Sequence, residues 1–136
     1  MGPSSATLFP ASMDSAPVPA STLPTPKVLQ ARVLQQRLLA GEDLQLVDVR
    51  EDEELELAQV AHPVIHLPLS RSQEWLGGID TLLDAQRPVA VLCHAGVRSW
   101  HFGCWLLQER GFREVWNLVG GIDAWSVEVD PAVPRY

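Results

Sequence analysis

Short apolar segments that alternate with helix-like segments are the feature that most constrains the fold of this chain. The apolar segments lie at residues 44–49, 64–67, 89–92 and 115–119, and each has the length of a strand. Strands that alternate with helices across short loops form a parallel sheet covered by helices on both faces. The sequence therefore predicts an α/β fold that binds its ligands at the carboxyl ends of the strands.

Capping residues and glycines predict where the helices begin and end. Thr25 as N-cap and Pro26 at the first helical position predict a helix that runs to Leu39 and is closed by Gly41. Residues 21–23 offer a short edge strand before it. Further helices are predicted at residues 51–57, 75–83, 100–107 and 122–126.

The first part of the chain differs in composition from the rest. Up to about Pro26 it is rich in Pro, Ser, Ala and Thr, and such a segment cannot bury a core. We therefore predict a disordered segment at residues 1–22 and a single domain at residues 23–136. The chain has 136 residues, of which 46% are hydrophobic, and this suits one substantial core.

The charge of the chain excludes some classes of partner. A formal net charge of −7 argues against surfaces that collect nucleic acid or anionic lipid. No apolar run approaches the ~20 residues that span a bilayer, and residues 1–5 lack the basic start of a secretory signal. We expect a cytoplasmic monomer with no nucleic-acid or membrane partner.

Cys93 is the main candidate for chemistry, because it stands where the predicted strand at residues 89–92 ends. The residues from Cys93 to Arg98 contain one glycine and precede a helix, so their backbone N–H groups can point at the sulfur. A thiol in such an anion cradle is predicted to react as a thiolate nucleophile. Arg98 opposes the helix dipole, which indicates an anion nearby. Cys104 lies two turns into the helix, too far away for a disulfide, and is predicted to pack in the core as a free thiol.

Four segments, taken in this order, resemble the rhodanese-like family over roughly residues 25–130. They are Leu46-Val47-Asp48-Val49-Arg50-Glu51, His66-Leu67-Pro68-Leu69, the Cys93 to Ser99 segment, and Gly120-Gly121-Ile122-Asp123-Ala124-Trp125. The resemblance implies a three-layer α/β/α domain with a central, mainly parallel five-stranded sheet and a cysteine that carries a persulfide. By position, Cys93 would be the sulfur carrier. The substrate-binding residues would be His94, Ala95, Gly96, Val97, Arg98 and Ser99.

Some residues of these segments have other predicted roles. Asp48 and Arg50 match the family's Asp-x-Arg, and we interpret them as a structural ion pair beside the loop. The chain departs from the family pattern at residues 60–64 and at His94, where relatives often have arginine. His94 either tunes the pocket or faces solvent. The acidic run at residues 51–56 is interpreted as a solvated face, with docking of an acceptor protein as the alternative.

The resemblance implies a sulfurtransferase that uses no cofactor and no metal. Cys93 would take the outer sulfur of a donor such as thiosulfate and pass it to cyanide or a thiol, with Arg98 and the cradle holding the anionic donor. The partners would be a small-molecule donor and acceptor, or an acceptor protein. One alternative is a sulfur-relay or regulatory interaction module without free turnover. A cysteine-dependent phosphatase or arsenate reductase is disfavoured, because related phosphatases have a seven-residue loop and this loop has six from Cys93 to Arg98.

Overall fold

The computed structural model describes residues 23–136, so the predicted disordered segment at residues 1–22 lies outside the described residues. The strands are β1 (Lys27–Leu29), β2 (Gln45–Asp48), β3 (Ile65–His66), β4 (Val89–Leu92) and β5 (Val115–Leu118). The helices are α1 (Ala31–Leu39), α2 (Asp52–Leu57), α3 (Ser72–Trp75), α4 (Ile79–Leu82), α5 (Val97–Glu109) and α6 (Gly121–Glu128). Short 3₁₀ turns at Leu69–Arg71 and Leu76–Gly78 flank α3.

All five strands are parallel and form one sheet in the order β1-β5-β4-β2-β3. The central strand β4 is buried at every position, which explains why Val89–Leu92 is a continuous apolar run. β4 also leads directly to Cys93. The sheet thus places that residue at the carboxyl end of its middle strand, as the alternating pattern predicts.

Helices cover both faces of the sheet. On one face α3, α4 and α5 pack against the sheet through Trp75, Ile79 and Phe102. On the other face α1 and α6 pack through Leu34 and Trp125. The α/β fold class and the three layers are therefore confirmed, with the sheet entirely rather than mainly parallel.

The predicted start of the first helix is wrong. Residues 27–29 form β1, and the helix begins only at Ala31 with Gln30 as its N-cap. β1 pairs with the outer edge of β5, where Val28 lies beside Asn117 and the Val119 N–H donates to the Leu29 carbonyl at 3.0 Å. An unpaired sheet edge is costly, and this pairing outweighs the local signal of Thr25 and Pro26. Of the predicted edge strand at 21–23, only Leu23 is described, and it lies in a bend.

Other boundaries differ by smaller amounts. Gly41 follows the end of α1 with φ of 72°, as a C-terminal glycine should. The single helix predicted at residues 75–83 is instead a series of short turns, because Gly77 and Gly78 interrupt it.

Both cysteines are free and buried, with Cys104 in α5 as predicted. Within residues 23–136, the longest helices are too short or too polar to cross a membrane.

Candidate active site

The candidate site is the loop between β4 and α5, which curls around the sulfur of Cys93. Cys93 is 1% exposed. Its Sγ accepts hydrogen bonds from the backbone N–H of Gly96 at 3.1 Å and of Ser99 at 3.4 Å. The Ser99 Oγ lies 3.2 Å from the same sulfur. The loop therefore directs two backbone N–H groups at one sulfur atom, with the Ser99 hydroxyl oxygen beside it, which is the geometry of an anion cradle.

Gly96 allows the chain to turn from the loop into α5. It is the N-cap of that helix and has φ of 105°, a conformation that only glycine adopts without strain. A Cβ at this position would lie 3.1 Å from the backbone nitrogen of Gly120. The turn brings the first N–H groups of α5 toward the sulfur, where the positive end of the helix dipole favours negative charge.

The start of α6 holds the loop from the other side. The Ile122 N–H donates to the Cys93 carbonyl at 2.9 Å, and the Asp123 N–H donates to the His94 carbonyl at 3.2 Å. A Cβ on Gly121 would lie only 2.3 Å from the His94 carbonyl oxygen. The Gly120-Gly121 pair is thus required for close approach of two backbones, and the N–H groups of α6 bind the loop.

Arg98 points at a carboxylate on α2. Its two terminal nitrogens bind the two oxygens of Glu54 at 2.7 and 2.8 Å. These bonds lower the pKa of Glu54 from 4.5 to about 2 and raise the pKa of Arg98 above its ordinary value. Glu54 is therefore the anion that the placement of Arg98 indicates. The interpretation of the whole acidic run as a solvated face is wrong at this residue, because pairing with Arg98 leaves only 17% of its side chain exposed.

A buried ion pair supports the base of the site. The Arg50 guanidinium is fully buried and binds Asp48 through Nε at 3.0 Å and Nη2 at 2.8 Å. It also donates to the carbonyl oxygens of Glu54 and Ala58, so it ties the end of β2 to the middle and the C-cap of α2. Asp48 and Arg50 thus form the structural ion pair that was predicted, and they fix the helix that carries Glu54.

Tyr136 connects His94 of the loop to Glu54 and Arg50. The rings of Tyr136 and His94 are stacked, with centroids 4.1 Å apart and planes 14° from parallel. The Tyr136 hydroxyl donates to Glu54 Oε1 at 2.9 Å and accepts from Arg50 Nη1 at 3.0 Å. Burial raises the pKa of Tyr136. The sequence predicted that His94 either tunes the pocket or faces solvent. In the structure His94 is half-buried and stacked on Tyr136.

The remaining loop residues occupy different environments. Ala95 and Val97 are exposed, and Val97 has 65% of its surface accessible. Ser99 is buried, and its hydroxyl donates to Asn117 Oδ1 at 2.5 Å. Asn117 and Tyr136 were not predicted to take part in the site, and Glu54 was predicted only as one residue of the acidic run. The signal for Asn117 was a single amide within the apolar strand β5.

The chain is similar to members of one protein family along most of its length. The family model described as rhodanese-like domain matches residues 30–128. The Rhodanese-like/PpiC domain-containing protein 12, chloroplastic, of Arabidopsis thaliana is 39% identical over 95 residues, which are 70% of this chain and 31% of that protein. The putative sulfurtransferase YtwF of Bacillus subtilis is 33% identical over 105 residues, covering 77% of this chain and 95% of the relative.

A relative from Coxiella burnetii and a solved structure from Staphylococcus aureus are also similar to this chain. Thiosulfate sulfurtransferase GlpE of Coxiella burnetii is 32% identical over 89 residues, covering 65% of this chain and 78% of the relative. A crystal structure of a rhodanese-like domain protein from Staphylococcus aureus superposes with a TM-score of 0.61 at 24% identity, covering 81% of this chain and 98% of the other. This chain thus spans less than a third of the Arabidopsis relative but nearly all of the Bacillus relative.

Proposed function

The chain belongs to the rhodanese-like domain family, whose relatives here include sulfurtransferases, and on that premise we propose that it carries sulfane sulfur as a persulfide on Cys93. The observation that carries the proposal is the convergence of the Gly96 and Ser99 N–H groups on the Cys93 sulfur. These donors stabilise negative charge on sulfur without any rearrangement of the loop. Thiosulfate is the proposed donor, since it is the substrate named for the Coxiella relative.

The first half-reaction loads the cysteine. Cys93 loses its proton to solvent, and the thiolate attacks the outer sulfur of thiosulfate. A new S–S bond forms on Cys93 while the bond from that sulfur to the sulfonate sulfur breaks, and sulfite leaves with the electron pair. The product is an anionic persulfide held at the cradle.

The second half-reaction removes the outer sulfur from the Cys93 persulfide. Cyanide or a thiolate acceptor attacks the terminal sulfur, and the bond between the two persulfide sulfurs breaks. The electron pair returns to Cys93, which regenerates the thiolate within reach of the Gly96 and Ser99 N–H groups. The acceptor leaves as thiocyanate or as a new persulfide. No step requires an external oxidant or reductant.

The pairing of Arg98 with Glu54 changes how the donor is held. An unpaired guanidinium would offer a full positive charge to thiosulfate, whereas the bidentate ion pair is neutral overall. The positive potential at the sulfur then comes mainly from the oriented N–H groups of the loop and the start of α5. We therefore assign the binding of the donor to the backbone N–H groups of the loop, and to Arg98 the role of holding the loop against Glu54 of α2.

The proposal is tested by following sulfite release in a single turnover. Protein in excess over thiosulfate should release one sulfite for each persulfide formed, and later addition of cyanide should give an equal amount of thiocyanate. Cys93→Ala should release no sulfite. Cys104→Ala is the matched control and should behave as wild type, because Cys104 is a buried residue within α5 and lies outside the loop that binds the Cys93 sulfur. Sulfite release from Cys93→Ala at the wild-type rate would refute the assignment.

A relay module without free turnover is a second candidate. It is favoured by the 1% exposure of Cys93, which leaves little of the sulfur accessible to a small-molecule acceptor. In that case a loaded persulfide would be discharged by an acceptor protein and not by cyanide. Repeated turnover with thiosulfate and cyanide would decide for the enzyme. A stable persulfide that resists cyanide would decide for the relay.

A further inference from the structure

Asn117 is a buried residue of β5 that binds the loop around the Cys93 sulfur. It is 7% exposed and pairs with Val91 of β4. Val91 is two residues before Cys93 in the chain. Its side-chain nitrogen donates to the Gly96 carbonyl at 3.0 Å, and its side-chain oxygen accepts from the Ser99 hydroxyl at 2.5 Å. One buried amide therefore holds both residues whose N–H groups point at the sulfur.

The two ends of this amide are fixed by the chemistry of their partners. A backbone carbonyl only accepts hydrogen bonds, so the nitrogen of Asn117 must face Gly96 and its oxygen must face Ser99. An amide oxygen also only accepts, so the Ser99 hydroxyl proton is directed at Asn117 and away from Cys93. The 3.2 Å contact between Cys93 and Ser99 is then a bond donated by the thiol S–H to the Ser99 oxygen.

We propose that Asn117 is a positioning residue that competes with the Cys93 sulfur for the Ser99 hydroxyl proton and thereby sets the pH at which Cys93 becomes reactive. When the thiol loses its proton to solvent, the sulfur can only accept, and the Ser99 hydroxyl turns from Asn117 to the sulfur. Asn117 Oδ1 then loses its buried donor, which favours the protonated state. The proposal deepens the persulfide function and rests on it, because the same turn of Ser99 stabilises the thiolate that returns after transfer.

Several charged or titratable groups also surround the loop. They are Arg98 on α5 with its partner Glu54 on α2, His94 in the loop, Asp123 on α6 beside His94, Tyr136 stacked on His94, and the buried Asp48 and Arg50 pair at the end of β2. All of them remain in place when Asn117 or Ser99 is substituted. Their contribution to the reactivity of Cys93 is therefore common to every variant compared below.

Gln45 provides a matched control on the neighbouring strand β2. It is also a buried amide, 5% exposed, and it binds loop backbone through Asp84 and Arg87. Gln45 pairs with Val89 at the start of β4, four residues before Cys93, so it lies about 13 Å from the sulfur along the sheet. Substitution of Gln45 disturbs the fold to a similar degree without touching the proton of Ser99.

The test measures the pH midpoint of Cys93 alkylation by iodoacetamide, with Cys104→Ala as the background. Asn117→Ala should lower the midpoint by about 0.5 to 1 pH unit, because it frees the Ser99 hydroxyl for the sulfur. Asn117→Asp should raise it by about 1 to 2 units, because it places a carboxylate within about 6 Å of the sulfur. Gln45→Ala and Gln45→Glu should each move it by less than about 0.5 unit. Thermal unfolding confirms that each variant is folded.

A second comparison isolates the path through Ser99. In a Ser99→Ala background, Asn117→Ala should leave the alkylation midpoint unchanged, because no hydroxyl remains to be shared. A purely structural role for Asn117 would give shifts of the same sign for Ala and Asp, or a shift that persists without Ser99. Either result would overturn the proposal, as would variants at Asn117 that leave the midpoint unmoved.

A measurement on the unsubstituted Asn117 covers the case in which its variants do not fold. The side-chain amide resonance of Asn117 should titrate with the same midpoint as Cys93 alkylation, whereas that of Gln45 should not. An Asn117 resonance that stays constant through the Cys93 midpoint would refute the proposal. Neither assay uses thiosulfate, so failure of persulfide formation and failure of the Asn117 proposal are separate results.

Discussion

Glu54 links the candidate site to the stability of the fold, and Glu54→Gln tests that link. Its carboxylate accepts both terminal nitrogens of Arg98, the hydroxyl of Tyr136 and the backbone N–H of Glu51. A glutamine at this position keeps the shape but loses the charge, and its NH₂ group faces donors. We therefore expect a less stable protein at neutral pH.

The magnitude follows from the lowered pKa. A fall from 4.5 to about 2 corresponds to an upper limit of about 3 kcal/mol of folding free energy. The Arg98 side chain is 36% exposed, so screening by solvent reduces the expected loss to about 1 to 2 kcal/mol. Because the folded-state pKa lies below the unfolded value, this stabilisation is present above pH 4.5 and is lost as the pH falls toward 2.

The assay is urea unfolding of wild type and Glu54→Gln between pH 7 and pH 3. The difference in free energy of unfolding should be largest at pH 7 and should lose about half of its value by pH 3, because Glu54 takes up a proton in the unfolded state below pH 4.5 but stays ionised in the folded state until about pH 2. Asp43→Asn is the matched control, since Asp43 is 65% exposed in its pair with Arg87. We expect no resolvable change for it. A Glu54→Gln penalty that is equal at pH 7 and pH 3 would refute the ionic origin of the stabilisation.

Two further predictions concern the contacts around the loop. Gly121→Ala should destabilise the fold by at least about 3 kcal/mol or prevent folding, because its Cβ would lie 2.3 Å from the His94 carbonyl oxygen. Gly41→Ala, with a similar φ of 72° and open space around it, should cost only about 1 kcal/mol in the same thermal-unfolding assay, and equal losses would contradict the close-approach argument. Tyr136→Ala should speed alkylation of Cys93 relative to wild type, because it removes the ring stacked on His94 of the loop. Tyr136→Phe should keep the wild-type rate while lowering stability by about 1 kcal/mol, and no acceleration in Tyr136→Ala would show that the ring does not restrict access.

The core strands and the loop could be predicted because their signals are local. Val89–Leu92 reads as a buried strand since a central parallel strand is apolar on both faces, and the cysteine after it marks the carboxyl end. From the sequence alone, Gly96 and the helix after it predict that the loop curls around the cysteine. The pairing of Asp48 with Arg50 could also be predicted, because the two residues are only two positions apart at the end of β2.

The contacts that tune the site could not be predicted, because they join distant segments. Arg98 and Glu54 are 44 residues apart, and Tyr136 and Glu54 are 82 apart. Only the packing of α2 against the loop shows that this glutamate, and none of its acidic neighbours, meets the guanidinium. The predicted start of the first helix was wrong for the same reason, because β1 forms only by pairing residues 27–29 with the edge of β5. Asn117 gave a weak signal, a polar residue in a buried strand, whose partners depend on the register of β5 with β4.

Intact-mass spectrometry after incubation with thiosulfate tests the central claim most directly. We predict that the wild-type chain and Cys104→Ala each gain one sulfur atom, that a thiol reductant removes it, and that Cys93→Ala gains none. A wild-type chain that stays at its original mass, or a Cys93→Ala chain that gains sulfur, would contradict the account of Cys93 as the sulfur carrier.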